Sequence, residues 1–204
     1  MRRGFRDCNN CTSPRATLEP MVEIVGIAGS LRRGSWNAAL LRAATESAPA
    51  GCRIVAAGLG GIPLYDGDLE AESGLPAPVL ALQQLITAAD GLLIVTPEYN
   101  HSIPGVLKNA LDWASRGSDS PLNDKVAAVM GAGGRFGTAR AQLHLRENLI
   151  HNRVLVLPRE FLVSRAGEQF DDQLRLKDDE MAQRLLRHVT ELASLARRVQ
   201  PASV

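Results

Sequence analysis

The segment at residues 29–37, Gly-Ser-Leu-Arg-Arg-Gly-Ser-Trp-Asn, contains the side-chain types that bind a phosphate group. Its donors are two hydroxyls, a guanidinium and an amide, on Ser30, Ser35, Arg32 and Asn37. A guanidinium fork matches phosphate oxygens, and the glycines let backbone N–H groups come close. A helix that begins near Trp36 would add its positive end. The segment therefore predicts a phosphate site; the alternative is a polar turn that only caps a helix.

A second segment, Thr-Pro-Glu-Tyr-Asn-His-Ser-Ile-Pro-Gly at residues 96–105, offers a rigid apolar surface beside polar groups. Pro97 and Tyr99 can cover a flat heterocycle, and the backbone of residues 98–100 can pair with its polar edge. In the alternative interpretation the two prolines bracket a rigid turn in which Asn100 bonds locally. The residues alone leave both interpretations open.

A third segment, Gly-Ala-Gly-Gly-Arg-Phe-Gly-Thr at residues 131–138, is rich in glycine. Glycines allow the backbone to approach a ligand without interference from a Cβ atom, although the same composition fits a loose hinge. The segment at residues 29–37 is neither a Walker A loop nor a G-x-G-x-x-G fingerprint, because the Lys-Ser/Thr pair and the acidic ribose partner are missing. Kinase-like and Rossmann-type functions are therefore disfavoured.

The elements that must position these segments follow a regular alternation of short apolar runs and amphipathic stretches. Such apolar runs are typical of strands buried on both faces of a parallel sheet. The predicted strands are 22–28, 52–57, 91–95, 125–130 and 153–157. The predicted helices are 36–47, 78–89, a helix that begins at Pro104, 138–150 and 178–199, with 58–73 as a loop.

Five strands alternating with five helices predict an α/β fold, a three-layer sandwich around a parallel sheet. The strand order expected for five strands is the flavodoxin-like order 2-1-3-4-5. In such sheets ligands bind beyond the carboxyl ends of the strands, near the point where the order reverses. The three segments follow strands 1, 3 and 4, so fold and residue types predict the same site.

Composition limits the classes of partner. The chain has 204 residues, of which 45% are hydrophobic, and its net charge is +1. This balance gives no reason to expect nucleic acid or an anionic membrane as a partner. No apolar run reaches the roughly 20 residues that span a bilayer. With nucleic acid and membranes disfavoured, the expected partner is a small molecule.

Three cysteines, Cys8, Cys11 and Cys52, do not form a disulfide framework, so a reducing, cytoplasmic location is expected. Cys8 and Cys11 lack the further ligands of a zinc site, and no metal is expected. Residues 1–20 are basic and polar and lack the apolar stretch of a secretory signal. We predict that they form a disordered extension before one domain at residues 21–204.

Three motifs together resemble the NADPH-dependent FMN reductase family, which includes quinone, azo-dye and chromate reductases. They are Gly29-Ser-Leu-Arg-x-x-Ser-x-Asn37, Pro97-Glu-Tyr-Asn100 and Ser102-x-Pro-Gly-x-Leu-Lys-Asn-x-Leu-Asp-Trp113. The resemblance covers roughly Val22 to Leu195. It implies a flavodoxin-like fold, non-covalently bound FMN, NADPH or NADH as co-substrate, and a homodimer or homotetramer.

The resemblance also implies which residues bind the cofactor. The positions that match the family's phosphate loop are Ser30, Arg32, Ser35 and Asn37, with the aromatic Trp36 beside them. Those that match the loops along the isoalloxazine are Pro97, Glu98, Tyr99, Asn100, Gly133 and Gly134. Many relatives carry Ser or Thr early in the last loop, where this chain has Ala132, so one side-chain hydrogen bond to the flavin is expected to be missing.

The predicted function is an FMN-dependent NAD(P)H oxidoreductase that reduces quinones, free flavin or similar acceptors. No side chain is assigned a catalytic role, because the cofactor carries out the chemistry. An electron carrier like flavodoxin is the main alternative, and the net charge of +1 and Arg32 argue against it. A nucleotide-processing enzyme would need several carboxylates for Mg²⁺, and Glu98 is the one carboxylate in the first two segments.

Overall fold

The computed structural model describes residues 20–199 as a parallel sheet with helices on both faces. The strands are β1 Val22–Ala28, β2 Cys52–Ala57, β3 Gly91–Val95, β4 Val126–Ala132, β5 Leu155–Val156 and β6 Phe161–Val163. The sheet has the order β2-β1-β3-β4-β5, and β6 pairs with β4 beyond the end of β5. The predicted fold class and strand order are confirmed.

Helices form the two outer layers. They are α1 Trp36–Glu46, α2 Gly67–Ser73, α3 Ala77–Ala88, α4 Gly105–Ala114, α5 Ala139–His151, α6 Ala166–Gln169 and α7 Asp179–Val199. One apolar core lies between the sheet and the pair α1 and α7. A second core lies between the opposite face and α3, α4 and α5. Because both faces are covered, β3 and β4 are buried along their whole length, as their apolar sequences require.

The predicted fifth strand is shorter than expected and is followed by a strand that was not predicted. Only Leu155 and Val156 pair with β4, and β6 then pairs with the last residues of the same strand. Pro158 lies between the two and has no N–H to donate to a ladder. The edge strand is therefore interrupted at the proline, and β4 continues two residues further than predicted, to Ala132.

The segment 58–73, predicted to be a loop, contains the helix α2, which the sequence pattern does not indicate. None of the residues of α2 is buried, so it lacks the apolar periodicity from which a helix can be predicted. Asp66 caps its start, because its side chain accepts a hydrogen bond from the N–H of Asp68. α6 is a single turn and gives no periodic signal either.

The predicted extension at residues 1–20, with Cys8 and Cys11, lies outside the described residues except for Pro20. Among the described residues, no helix is long and apolar enough to cross a membrane. Within residues 20–199, no group of three His, Cys, Asp or Glu side chains is placed to hold a metal ion.

Candidate active site

The carboxyl ends of β1, β3 and β4 surround one cavity of about 290 Å³. Every predicted site residue except Asn100 lines this cavity. Ala132, which was not among the predicted site residues, lines it as well. A groove of about 700 Å³ lies elsewhere, between α1 and the segment before α7. That groove is larger, but it lies away from the strand ends, where parallel sheets bind their ligands. Position in the fold therefore identifies the smaller cavity as the candidate site.

The loop after β1 presents donors at the start of α1. Ser35 caps the helix: its Oγ accepts the N–H of Ala38 at 3.3 Å, and its carbonyl accepts the N–H of Ala39 at 3.0 Å. Among the described residues, the N–H groups of Trp36 and Asn37 form no hydrogen bond. Free N–H groups at a helix start are ready to bind an anion.

Arg32 is an exposed cation held near the helix start. Its guanidinium carbon lies 5.5 Å from the centre of the Trp36 ring, within cation–π range. The Oγ of Ser30 accepts the N–H of Arg32 at 3.3 Å, so the Ser30 hydroxyl hydrogen stays available as a donor. The loop thus gathers a guanidinium, two hydroxyls and helix N–H groups on one wall of the cavity.

Asn37 has a structural role that the sequence did not reveal. Its Nδ2 donates to the carbonyl oxygen of Ala132 at 2.9 Å, and its Oδ1 accepts the N–H of Ala132 at 2.9 Å. The side chain is 3% exposed. The predicted phosphate ligand therefore lines the cavity and also fixes the end of β4 against α1.

The loop after β3 is a tight two-residue hairpin. Tyr99 and Ser102 exchange two backbone hydrogen bonds of 3.0 Å each, and the residues between them, Asn100 and His101, have φ values of 49° and 63°. Positive φ at both central positions is the type I′ arrangement, which favours asparagine. Asn100 lies at the exposed tip of this turn and does not line the cavity, whereas Pro97, Glu98 and Tyr99 do.

Glu98 connects the β3 loop to the start of α5. Its Oε2 accepts the N–H groups of Arg140 and Ala141 at 3.0 and 3.2 Å, and its Oε1 lies 3.4 Å from Nη1 of Arg140. The helix's own cap residue, Thr138, makes no side-chain capping bond. A carboxylate at this end satisfies two N–H groups and complements the helix dipole.

Replacing Glu98 with alanine is expected to lower the free energy of unfolding by about 1–2 kcal/mol, because α5 loses its N-terminal acceptor. Urea denaturation followed by circular dichroism measures the change. The matched control is Glu147→Ala, which removes an exposed carboxylate from the middle of α5 and is expected to cost less than about 0.5 kcal/mol. Equal losses in the two variants would contradict the capping role.

The loop after β4 is a turn whose glycines are required by crowding. A Cβ atom on Gly133 would lie 2.3 Å from the carbonyl oxygen of Gly137, and one on Gly131 would lie 2.3 Å from that of Thr96. Gly137 also has a φ of 62°, a conformation that favours glycine. The loop is therefore a fixed wall of the cavity and not a loose hinge.

Two residues of the motif Ser102–Trp113 form hydrogen bonds outside the cavity. Asn109 and Trp113, four residues apart on α4, both donate to the carbonyl oxygen of Pro63, at 2.8 and 2.9 Å. Asn109 also accepts the N–H of Tyr65 at 2.8 Å. They hold the segment before α2 against α4. The spacing of four residues places both side chains on one face of α4, but it does not reveal that their partner is the carbonyl of Pro63.

Comparison with known proteins identifies the family. Residues 22–168 match the family model described as NADPH-dependent FMN reductase. The chain belongs to this family. An NAD(P)H-dependent FMN reductase of Pseudomonas aeruginosa is 46% identical over 181 residues, which cover 88% of this chain and 97% of that protein. A quinone reductase of Escherichia coli is 42% identical, over 76% of this chain and 85% of that protein.

Solved structures agree with the NADPH-dependent FMN reductase assignment. The flavoenzyme FerB of Paracoccus denitrificans, an NAD(P)H:(acceptor) oxidoreductase, is similar with a TM-score of 0.78 and 30% identity. The similarity covers 87% of this chain and 98% of FerB. The predicted family and the predicted enzyme class, an NAD(P)H-dependent flavin oxidoreductase with FMN as cofactor, are thus confirmed.

Proposed function

We propose that this enzyme binds FMN in the cavity at the ends of β1, β3 and β4 and uses it to reduce quinones, free flavin or similar small acceptors with NAD(P)H. The observation that carries the proposal is that the phosphate-type loop and the two ring-type loops, far apart in sequence, line one cavity. Relatives described as quinone reductases and as an NAD(P)H-dependent FMN reductase support the choice of acceptor.

The residues of the cavity match the charge and the hydrogen-bonding groups of FMN. Arg32, the hydroxyls of Ser30 and Ser35, and the N–H groups at the start of α1 would hold the phosphate. Glu98, the one carboxylate of the wall, is already engaged by the start of α5 and so does not face the phosphate unpaired. These donors match a dianionic phosphate better than a metal or a neutral ligand.

The other wall would hold the flat ring. Tyr99 is 50% exposed at the cavity and offers an aromatic surface. Apart from Gly134 and its two chain neighbours, no heavy atom of residues 20–199 lies within 4 Å of the position that a Cβ on Gly134 would occupy, so the backbone there is open to a ring. FMN held there would supply the chemistry of hydride transfer from NAD(P)H and of two-electron reduction of an acceptor. The chain itself binds and orients, and no side chain is assigned a catalytic role.

We further propose that the enzyme works in the cytoplasm as a homodimer or homotetramer. The one cysteine among the described residues, Cys52, is free and buried, as is usual in a reducing compartment. Leu143 and Ile150 are 53% and 66% exposed on α5, a degree of apolar exposure that a second copy would cover. Light scattering of the purified protein measures the assembly.

Steady-state assays test the proposal directly. The purified protein is expected to be yellow, or to become yellow and gain thermal stability when FMN is added. It is expected to oxidise NADPH in the presence of a quinone or free FMN. A protein that binds FMN but never oxidises NAD(P)H would be an electron carrier, and this would overturn the enzymatic proposal.

Arg32→Ala is expected to weaken FMN binding about 10- to 100-fold, because it removes a charge-assisted hydrogen bond to the phosphate. Fluorescence titration of the apoprotein measures the change, with riboflavin, which lacks the phosphate, as a second ligand. The control is Arg33→Ala, which removes the same charge from an exposed neighbour outside the cavity wall. Equal FMN affinity in the Arg32 variant and the wild type would contradict the phosphate assignment.

A further inference from the structure

The turn between β4 and α5, residues 134–137, carries an arginine and a phenylalanine directly after Gly134, a residue of the cavity wall, and we call this turn the mouth of the cavity. Gly134, which lines the cavity, and Gly137 form the base of the turn through the 3.1 Å bond between the Gly137 N–H and the Gly134 carbonyl. Arg135 and Phe136 occupy its two central positions. The Phe136 side chain is 58% exposed, although large aromatic side chains are usually covered.

This turn is rigid, so its exposed side chains are presented in a fixed direction. The N–H of Gly133 donates to the carbonyl of Val163 at 3.0 Å, and the N–H groups of Arg165 and Ala166 donate back to Gly134 and Gly133 at 2.7 and 2.8 Å. A Cβ on Gly133 would collide with Gly137. A ligand that docks on the turn therefore does not have to order the backbone.

Two guanidinium groups flank the exposed ring. Their central carbons lie 5.3 Å (Arg135) and 5.7 Å (Arg140) from the centre of the Phe136 ring. The Arg140 guanidinium is shared with Glu98. The Arg135 guanidinium forms no ion pair with any residue in the range 20–199. The mouth of the cavity thus carries an uncompensated cation beside an aromatic surface.

An aromatic ring flanked by arginines matches the chemistry of an adenine nucleotide. The base stacks on an aromatic face, and a guanidinium fork binds a phosphate. The phosphate of FMN is already provided for by Arg32 and the start of α1, on the other wall. The ligand at the mouth is then a second phosphorylated molecule that reaches the cavity from outside.

We propose that Phe136 stacks on the adenine of the nicotinamide dinucleotide and that Arg135 binds the 2′-phosphate, so that Arg135 selects NADPH over NADH. This inference rests on the proposed function. Arg140, whose charge is partly neutralised by Glu98, would contact the pyrophosphate, which NADPH and NADH have in common. Arg135 is one residue from the cavity wall, so the dinucleotide can reach both the turn and the ring site.

The test compares the two dinucleotides in the FMN-loaded enzyme and in two substituted forms. Arg135→Gln is expected to lower kcat/KM for NADPH at least tenfold more than kcat/KM for NADH. The affinity for 2′,5′-ADP, measured by calorimetry, is expected to fall by a similar factor relative to that for 5′-AMP. Phe136→Leu is expected to weaken both nucleotides alike, because both contain adenine.

The control variant is Arg187→Gln, which removes one exposed arginine from α7, away from the cavity. It is expected to leave the NADPH-to-NADH ratio unchanged. The inference about Arg135 would be overturned if Arg135→Gln kept the wild-type ratio of kcat/KM for NADPH to that for NADH, or if this variant lost FMN. It would also be overturned if the wild type did not prefer NADPH. None of these outcomes would contradict the proposed function. Wild-type protein that binds FMN but oxidises neither dinucleotide would overturn the proposed function as well.

Discussion

Replacing Asn37 with alanine is expected to lower the free energy of unfolding by about 3 kcal/mol and to weaken FMN binding more than tenfold. The substitution leaves both the N–H and the carbonyl of Ala132 without partners at a site where Ala132 is 2% exposed. Each buried polar group left unpaired costs about 1–3 kcal/mol. FMN binding suffers because Ala132 leads directly into the cavity wall at Gly133. Urea denaturation of the apoprotein and FMN titration measure the two effects.

The matched control for this substitution is Asn123→Ala. The amide of Asn123 makes one exposed hydrogen bond, 3.3 Å from Oδ1 of Asp119, so its loss is expected to cost less than about 0.5 kcal/mol. If Asn37→Ala weakened FMN binding without lowering stability, Asn37 would be a ligand only. If stability fell and FMN affinity did not, the end of β4 would not shape the site.

Lowering the pH from 7 to 4.5 is expected to destabilise the wild type by about 2–3 kcal/mol more than a His188→Leu variant. His188 is 1% exposed, packed 5.3 Å from the ring of Phe161. Burial lowers its pKa from 6.5 to about 4; the backbone of Val129 and the charge of Glu191 oppose the shift, and Arg146 and Arg159 add to it. As the pH falls, His188 therefore becomes protonated near pH 6.5 in the unfolded chain, but only near pH 4 in the folded chain.

Because the unfolded state binds more protons in this window, stability rises with pH between about 4 and 6.5. Each pKa unit of difference corresponds to about 1.4 kcal/mol. The measured quantity is the change in unfolding free energy between the two pH values, so that the effect of the leucine itself cancels. Identical pH dependence in the wild type and His188→Leu would contradict the burial argument.

The sequence predicts the sheet and the location of the site because both depend on strong local signals. β1 and β3 are short apolar runs that end in loops of distinctive composition, and the alternation of strands with helices predicts a parallel, doubly wound sheet. α2 and β6 lack such signals. α2 buries none of its residues, and β6 forms three residues of ladder only because β4 continues far enough to receive it. Pairing with a distant segment cannot be read from local periodicity.

Side-chain roles were harder to predict than side-chain positions. Asn37 and Glu98 line the cavity as expected, but their polar atoms are engaged by Ala132 and by the start of α5. An amide or a carboxylate in a loop offers the same chemistry to a ligand and to a neighbouring backbone. Which of the two it meets depends on contacts between segments 42 and 95 positions apart. Arg135 and Phe136 show no local signal of a role, because only the folded turn brings them next to the cavity wall at Gly134.

The interruption of the edge strand also bears on the behaviour of the protein at high concentration. A long, regular strand at the edge of a sheet offers unpaired backbone groups to another molecule and so promotes aggregation. On the β5 side of the sheet, the edge strand has only two residues, and the buried Leu157 separates it from three exposed residues, Pro158, Arg159 and Glu160. The ladder resumes only where β6 holds the wall of the cavity through Val163 and Gly133. At the β5 edge, the same break thus limits templated β-pairing between molecules and lets the chain support the site.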